Sequence, residues 1–176
     1  DANETVQAWK FAIEHHTGPT LLALTRQAVP ILDRSKLNSA KGLNSGAYVL
    51  TDLGDKQIDI ILMASGSEVS LVLEAARRIA AAGFGVRVVS FPSWELFEKS
   101  GKEYQEFVLP KKVKKRISVE LGVSQGWEKW VGDNGIIIGI DKYGASAPYQ
   151  KIFEEYGFTV DKIVEKAIDL LRAEII

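Results

Sequence analysis

Residues 58–82 read IDIILMASGSEVSLVLEAARRIAAA. The stretch over residues 58–64, apolar but for Asp59, is too short for a helix and aliphatic enough for a strand buried on both faces, as parallel sheets require. Ser65-Gly66-Ser67 turns the chain. Beyond it Val69, Leu71, Val72, Leu73, Ala76, Ile79 and Ala80 fall largely at helical spacing, which leaves Glu68, Glu74, Arg77 and Arg78 for a wet face. Gly83 and Gly85 stop that helix and introduce a second strand, Val86-Arg87-Val88-Val89-Ser90. The unit is βαβ, and the fold class it predicts is α/β: a three-layer, Rossmann-like domain on a mostly parallel sheet of about five strands with one antiparallel edge.

The flanks extend this frame. Upstream, residues 47–51 form a strand joined through Asp52-Leu53-Gly54-Asp55-Lys56 to Ile58; so tight a connection suits an antiparallel pair and leaves no room for a crossover helix. Downstream, Pro92 ends the second strand of the unit and Ser93 caps a short helix, whose aromatic neighbours read as packing. A helical piece over residues 103–108 closes at Pro110. Ile117-Ser118-Val119 is the next strand and delivers Glu120 and Gly122 to its end. Residues 127–131 make a short helix, residues 135–140 a last strand, and two helices close the chain over residues 149–156 and 160–173, the second capped by Thr159.

The first 46 residues read differently. Asp1 or Asn3 can cap a helix whose apolar stripe is Val6, Ala8, Trp9, Ala12 and Ile13, and which ends near His15-His16 ahead of Gly18 and Pro19. Adjacent histidines point about 100° apart on a helix and cannot chelate one ion, so they read as favourable cations at a helix end. Residues 20–24 predict a buried strand that presents Thr25-Arg26-Gln27 at its carboxyl end, where ligands sit in open α/β sheets. Residues 28–46 lose all periodicity and read as a linker. One helix and one strand cannot cover both faces of that strand, so residues 1–40 are expected to belong to a domain completed elsewhere.

Composition narrows the function. The chain has 176 residues, 46% of them hydrophobic, enough for one full core plus an appendage. A net charge of −1 with interspersed signs carries no footprint for nucleic acid or an anionic membrane. The run Lys111-Lys112-Val113-Lys114-Lys115-Arg116 lacks interleaved aromatics and reads as a solvated turn. No cysteine is present, which excludes thiolate chemistry and accords with the cytosol. No apolar run approaches the ~20 residues of a membrane span. The chain opens on Asp1 without a basic-then-apolar leader and reads as a fragment or a processed product. Of the turns, Ser65-Gly66-Ser67 offers open amides at a helix start, making Gly66 and Ser67 a candidate regulatory anion site, although Glu68 beside them opposes an anion. Gly144-Ala145-Ser146 is a second small-residue loop, read as a tight turn.

Five stretches, SGSEVSLVLEAA (65–76), SFPSWELFE (90–98), EYQEFVLP (103–110), GWEKWVG (126–132) and GIDKYGASAP (139–148), occur in an order and spacing that resemble the C-terminal region of transketolase. DANET and GPTLLALTRQ resemble the end of that family's preceding pyrimidine-binding domain. The resemblance covers essentially the whole chain. It implies residues 1–43 as the end of the pyrimidine-binding domain and linker, and residues 44–176 as the C-terminal domain. It implies ketol transfer between ketose and aldose phosphates in the pentose phosphate pathway, with thiamine diphosphate and Mg²⁺ or Ca²⁺, in a homodimer whose active site lies in upstream domains. No cofactor or metal is expected on this chain, which alone is expected to be inactive. Arg26 matches the family arginine that binds the sugar phosphate. Location would be cytoplasmic, or plastid in a photosynthetic source, with no nucleic acid or membrane partner. Dihydroxyacetone synthase and a stand-alone anion- or nucleotide-binding module are the alternatives.

Overall fold

A computed structural model describes residues 1–54 and 57–173. Five strands, β1 (Tyr48–Leu53), β2 (Ile60–Ala64), β3 (Val86–Ser90), β4 (Arg116–Val119) and β5 (Ile136–Ile138), form one sheet in the order β1-β3-β2-β4-β5. β3, β2, β4 and β5 run parallel to one another, and β1 pairs with β3 as an antiparallel edge. The helices are α1 (Ala2–Glu14), α2 (Glu68–Ala81), α3 (Trp94–Lys99), α4 (Lys102–Val108), α5 (Glu128–Val131), α6 (Tyr149–Glu155) and α7 (Val160–Arg172).

Every residue of β2 is fully buried because the strand is central and covered on both faces. Its side chains alternate between two cores. Ile60, Leu62 and Ala64 join α2 and α7 through Val72, Ile79, Ile163 and Ala167. Ile61 and Met63 join the aromatic side, where Phe91, Phe97, Trp127 and Trp130 pack edge-on and tilted at centroid distances of 4.9–5.7 Å. These aromatics are core, as their sequence setting suggests. Each large side chain so removed from water contributes about 1.5–3 kcal/mol, and the three layers follow from the two buried faces.

The expected edge strand exists, but its neighbour is β3, not β2: Tyr48 pairs with Ser90 and Leu53 with Val86. The distance from β1 to β2 is therefore two strand spacings, about 10 Å, which a short connection spans without a helix. Asp55 and Lys56, in the middle of that connection, lie outside the described residues. β2 begins at Ile60 rather than Ile58 because Asp59 already turns to Gly85, accepting its N–H at Oδ2 over 2.8 Å. The outer edge of β1 is covered by the stretch expected as a linker. Asn38 donates from its backbone to Leu50 O and from Nδ2 to Val49 O, both at 2.9 Å, and residues 40–45 form a 3-10 turn.

Residues 20–24 form no strand. They pair with none of the described strands, and Leu21 and Leu24 are 91% and 60% exposed. Apolar, β-prone residues make a strand only where a ladder receives them. α1 begins as expected, with Asp1 Oδ1 accepting from the Glu4 amide at 3.1 Å in a capping box. Its stripe, however, leaves Val6, Trp9 and Ile13 largely exposed.

Candidate site at the carboxyl edge of the sheet

β2 and β4 end side by side, Ala64 opposite Val119, so the turns that leave them meet at the carboxyl edge of the sheet. Two glutamates cross between those turns. Ser65 Oγ, after β2, donates to Glu120 Oε2 at 2.6 Å; the Leu121 amide, after β4, donates to Glu68 Oε2 at 3.2 Å. Ser67 Oγ donates to the other Glu68 oxygen, Oε1. Glu68 was expected on the wet face of α2 but is only 3% exposed. It occupies the first turn of the helix beneath the loop that leaves β4, where an amide and a hydroxyl replace water. Burial pushes its carboxyl up to about 7, against the pull of those two hydrogen bonds, with the nearby Glu120 charge adding to the rise. Burial raises the Glu120 carboxyl as well.

These turns floor a cavity of about 630 Å³ whose other walls are α1 and residues 21–29. Its lining carries four acidic side chains, Asp1, Glu4, Glu68 and Glu120, and, among the described residues, no Lys, Arg or His. Asp1 is answered by Arg34 Nη2 at 2.9 Å. Glu4, 6% exposed, accepts from Tyr48 Oη at 2.7 Å and from Ser90 Oγ. α1 is thus anchored to the ends of β1 and β3 by one carboxylate.

Of the residues singled out from the sequence, Gly66 and Ser67 line this cavity. Gly66 has φ +53°, and a Cβ there would stand 3.6 Å from Thr25 Cγ2. The turn therefore abuts the segment that carries Arg26. Thr25 and Gln27 face the cavity, while Arg26 is exposed to solvent. Glu4, Glu68 and Glu120 were missed as a group because their meeting depends on contacts over 44 to 86 residues of chain. The available signal was a carboxylate directly after a buried strand, at Glu120, and another in the first turn of an apolar helix.

Elsewhere, His15 caps the end of α1 and stacks on Phe11 at 5.2 Å. The basic run is partly structural: Arg116 donates to the carbonyls of Leu109, Pro110, Val113 and Trp130, and Lys115 to those of Leu171 and Ala173. The loop at residues 144–146 stays on the surface beside a fully exposed Tyr143. Among the described residues no three His, Asp or Glu side chains converge to hold a metal ion, and no helix is long and apolar enough to cross a membrane.

Residues 46–159 match the family model described as "Transketolase-like TK C-terminal domain". A transketolase of Geobacillus stearothermophilus is 47% identical over 171 residues, which cover 97% of this chain and 26% of that protein. Among solved structures, a transketolase from Leishmania mexicana superposes with a TM-score of 0.87 at 35% identity, over 98% of this chain and 24% of its own. A transketolase of Pichia stipitis in complex with sedoheptulose 7-phosphate gives 0.86 at 36% identity, over 97% and 24%. The chain thus spans about a quarter of the length of the relatives it matches.

Proposed function

The chain belongs to the transketolase family, as a C-terminal region of such an enzyme, and from that premise we propose that the complete protein transfers a two-carbon ketol unit from a ketose phosphate to an aldose phosphate in the pentose phosphate pathway. The observation that carries the proposal is the continuity of the similarity. It extends over 97% of the chain, beyond the matched domain into the segment that bears Arg26. The Pichia stipitis relative, solved with a sugar phosphate, supports the substrate class.

In this proposal residues 1–43 close the pyrimidine-binding domain and residues 44–176 are the C-terminal domain. The exposed Val6, Trp9 and Ile13 stripe of α1 suits coverage by upstream parts of the same protein, within a homodimer. Arg26 binds the substrate phosphate. Its guanidinium is planar, permanently charged and exposed, and offers a fork of donors to phosphate oxygens. Thiamine diphosphate, when bound, would supply the electron sink for the transferred two-carbon unit. In this proposal the cofactor and its Mg²⁺ or Ca²⁺ are held by the upstream parts of the enzyme, as the family resemblance implies, and this chain alone is inactive. Location is cytoplasmic, or plastid in a photosynthetic source.

A regulatory anion at Gly66 and Ser67 is left out of the proposal, since four carboxylates line that cavity and would repel it. No observation favours dihydroxyacetone synthase or a stand-alone binding module. The deciding experiment assays the complete protein, with thiamine diphosphate and Mg²⁺, on xylulose 5-phosphate and ribose 5-phosphate, alongside Arg26→Ala. Turnover by the parent and a raised KM for phosphorylated substrates in the variant are expected. No turnover would overturn the enzyme assignment, and an unchanged KM the role of Arg26.

A further inference from the structure

We infer that the loops leaving β4 and β5, residues 122–125 and 141–149, are a landing surface for an apolar, uncharged face of the upstream part of the same polypeptide. The inference rests on the proposed reading of residues 1–43 as the end of an upstream domain.

β4 and β5 end side by side, Val119 opposite Ile138, so both loops leave the carboxyl edge of the sheet. They are fixed to each other. Ser124 donates from its backbone N–H and from Oγ to Asp141 Oδ1, both at 2.9 Å, and the Ile140 N–H donates to the Gly122 carbonyl at 2.7 Å. Their outer side chains nevertheless cover nothing: Tyr143 is fully exposed, Val123 and Tyr149 are exposed, and no residue of α6, which opens at Tyr149, is buried. The two charged side chains of residues 139–149 are already engaged, Asp141 by Ser124 and Lys142 over the Tyr156 ring at 4.6 Å. What faces outward is tyrosine and small apolar residues without a free charge, the aromatic-rich and charge-poor character of an interface centre. A seven-residue helix that buries no side chain gains little from its own chain and would gain from a cover.

Continuity identifies the occupant. Leu121, at the root of the first loop, lines the cavity whose far walls are α1 and residues 21–29. Thr5 lines that cavity and also the apolar groove of Val6, Trp9 and Ile13 on α1. Glu4 bonds α1 to Ser90, the carboxyl end of β3, so this helix stands on the same edge of the sheet as the loops. The exposed apolar side chains of α1, of Leu21 and Leu24, and of the two loops therefore flank one cavity. A domain that completes residues 1–43 has to cover α1 and residues 21–24, and so overhangs the neighbouring loops. The similarity to transketolases extends over 97% of the chain, residues 1–43 included, and this chain spans only about a quarter of those relatives. The same polypeptide thus supplies a cover of the size required.

The test is photocrosslinking in the complete protein, with Tyr143→p-benzoylphenylalanine in one variant and Trp9→p-benzoylphenylalanine in another, and the joined peptides identified by mass spectrometry. Isotopically light and heavy chains mixed before assembly separate bonds within one chain from bonds between two. The expected result is a bond from position 143 to a residue upstream of residue 1 in the same chain. A bond from position 143 only to a second chain, or no bond, would overturn the inference. If position 9 bonds upstream and position 143 does not, the landing surface alone is refuted. If neither position bonds upstream, the reading of residues 1–43 as the end of an upstream domain fails with it. Hydroxyl-radical footprinting of Tyr143 in the unsubstituted complete protein keeps the inference open to refutation should the bulky replacement disturb assembly. Oxidation of Tyr143 severalfold slower in the folded protein than in urea is expected, and equal rates would overturn the inference.

Discussion

The hydroxyl of Tyr48 on β1 donates to Glu4 Oε1 on α1 at 2.7 Å and accepts from Arg34 Nη1 at 2.9 Å. One phenol thereby joins the sheet, the first helix and the stretch between them. Its proton is held more tightly than a free phenol's, first because it is buried and then because the Glu4 carboxylate faces it. Tyr48→Phe keeps the ring and removes both bonds, leaving Glu4 with Ser90 as its remaining hydroxyl donor. A loss of about 1–3 kcal/mol is expected, read as a lowered urea midpoint. A midpoint equal to the parent's would mean that α1 is held by other contacts.

Arg87 on β3 forks onto both oxygens of Asp52 on β1 at 2.8 Å and sends Nη1 to the carbonyl of Phe107 at the end of α4, at 2.6 Å. The guanidinium is nearly buried while Asp52 is partly open to water, so the pair lies between a surface and a core ion pair. Asp52→Ala leaves the cation without its carboxylate and is expected to cost about 2 kcal/mol. A double-mutant cycle with Arg87→Met should return a favourable coupling energy. A coupling of zero would place the value of Arg87 in its bonds to α4 alone.

Much of this fold is legible in the sequence because its central strands are buried on both faces. Such strands read as short, largely apolar stretches, and β2, β3 and β4 fall within a few residues of where those stretches lie. Asp1, Ser93 and Thr159 each cap the helix expected of them, since a cap depends on three or four local residues. Features decided by distant partners were not legible. Residues 20–24 have the composition of a strand and no ladder to join. The neighbour of β1 is set by β3, which comes after the connection that suggested β2. Glu68 reads as a solvent-facing helix residue until the loop after β4 closes over it. The candidate site suffers most from this, because the contacts that define its floor run between residues 65 and 120 and between 68 and 121.

Gly46 ends the 3-10 turn before β1 with φ +85°, and a Cβ there would collide with the backbone of Ser93, Leu96 and Phe97 at the start of α3. Both the conformation and the space exclude a side chain. Gly46→Ala should therefore cost about 3 kcal/mol or more, since the colliding atoms are backbone and cannot rotate away. Thermal unfolding of this variant measures it. A shift of only a degree or two would show that α3 is free to slide.

Stability should fall as pH rises through neutrality, and Glu68 should be the main reason. Its carboxyl is raised from 4.5 to about 7 in the folded chain. Between those values the folded state holds a proton that the unfolded state has released, so unfolding is favoured progressively as pH increases. The contribution is fully present below about 4.5 and lost as pH climbs through about 7. Its span is on the order of 3 kcal/mol. Glu120, also raised by burial, acts in the same direction. Asp33 and Asp141 are lowered by bonds from Ser35 and Ser124, so their stabilisation is lost only as pH falls through their depressed folded values. Neither contributes to the neutral window. Glu68→Gln carries no ionisable group at this position and should be increasingly more stable than the parent from pH 5 to 8.5, as followed by urea midpoints at each pH. If the two proteins lose stability in parallel over that range, the buried carboxyl of Glu68 is not the group that titrates.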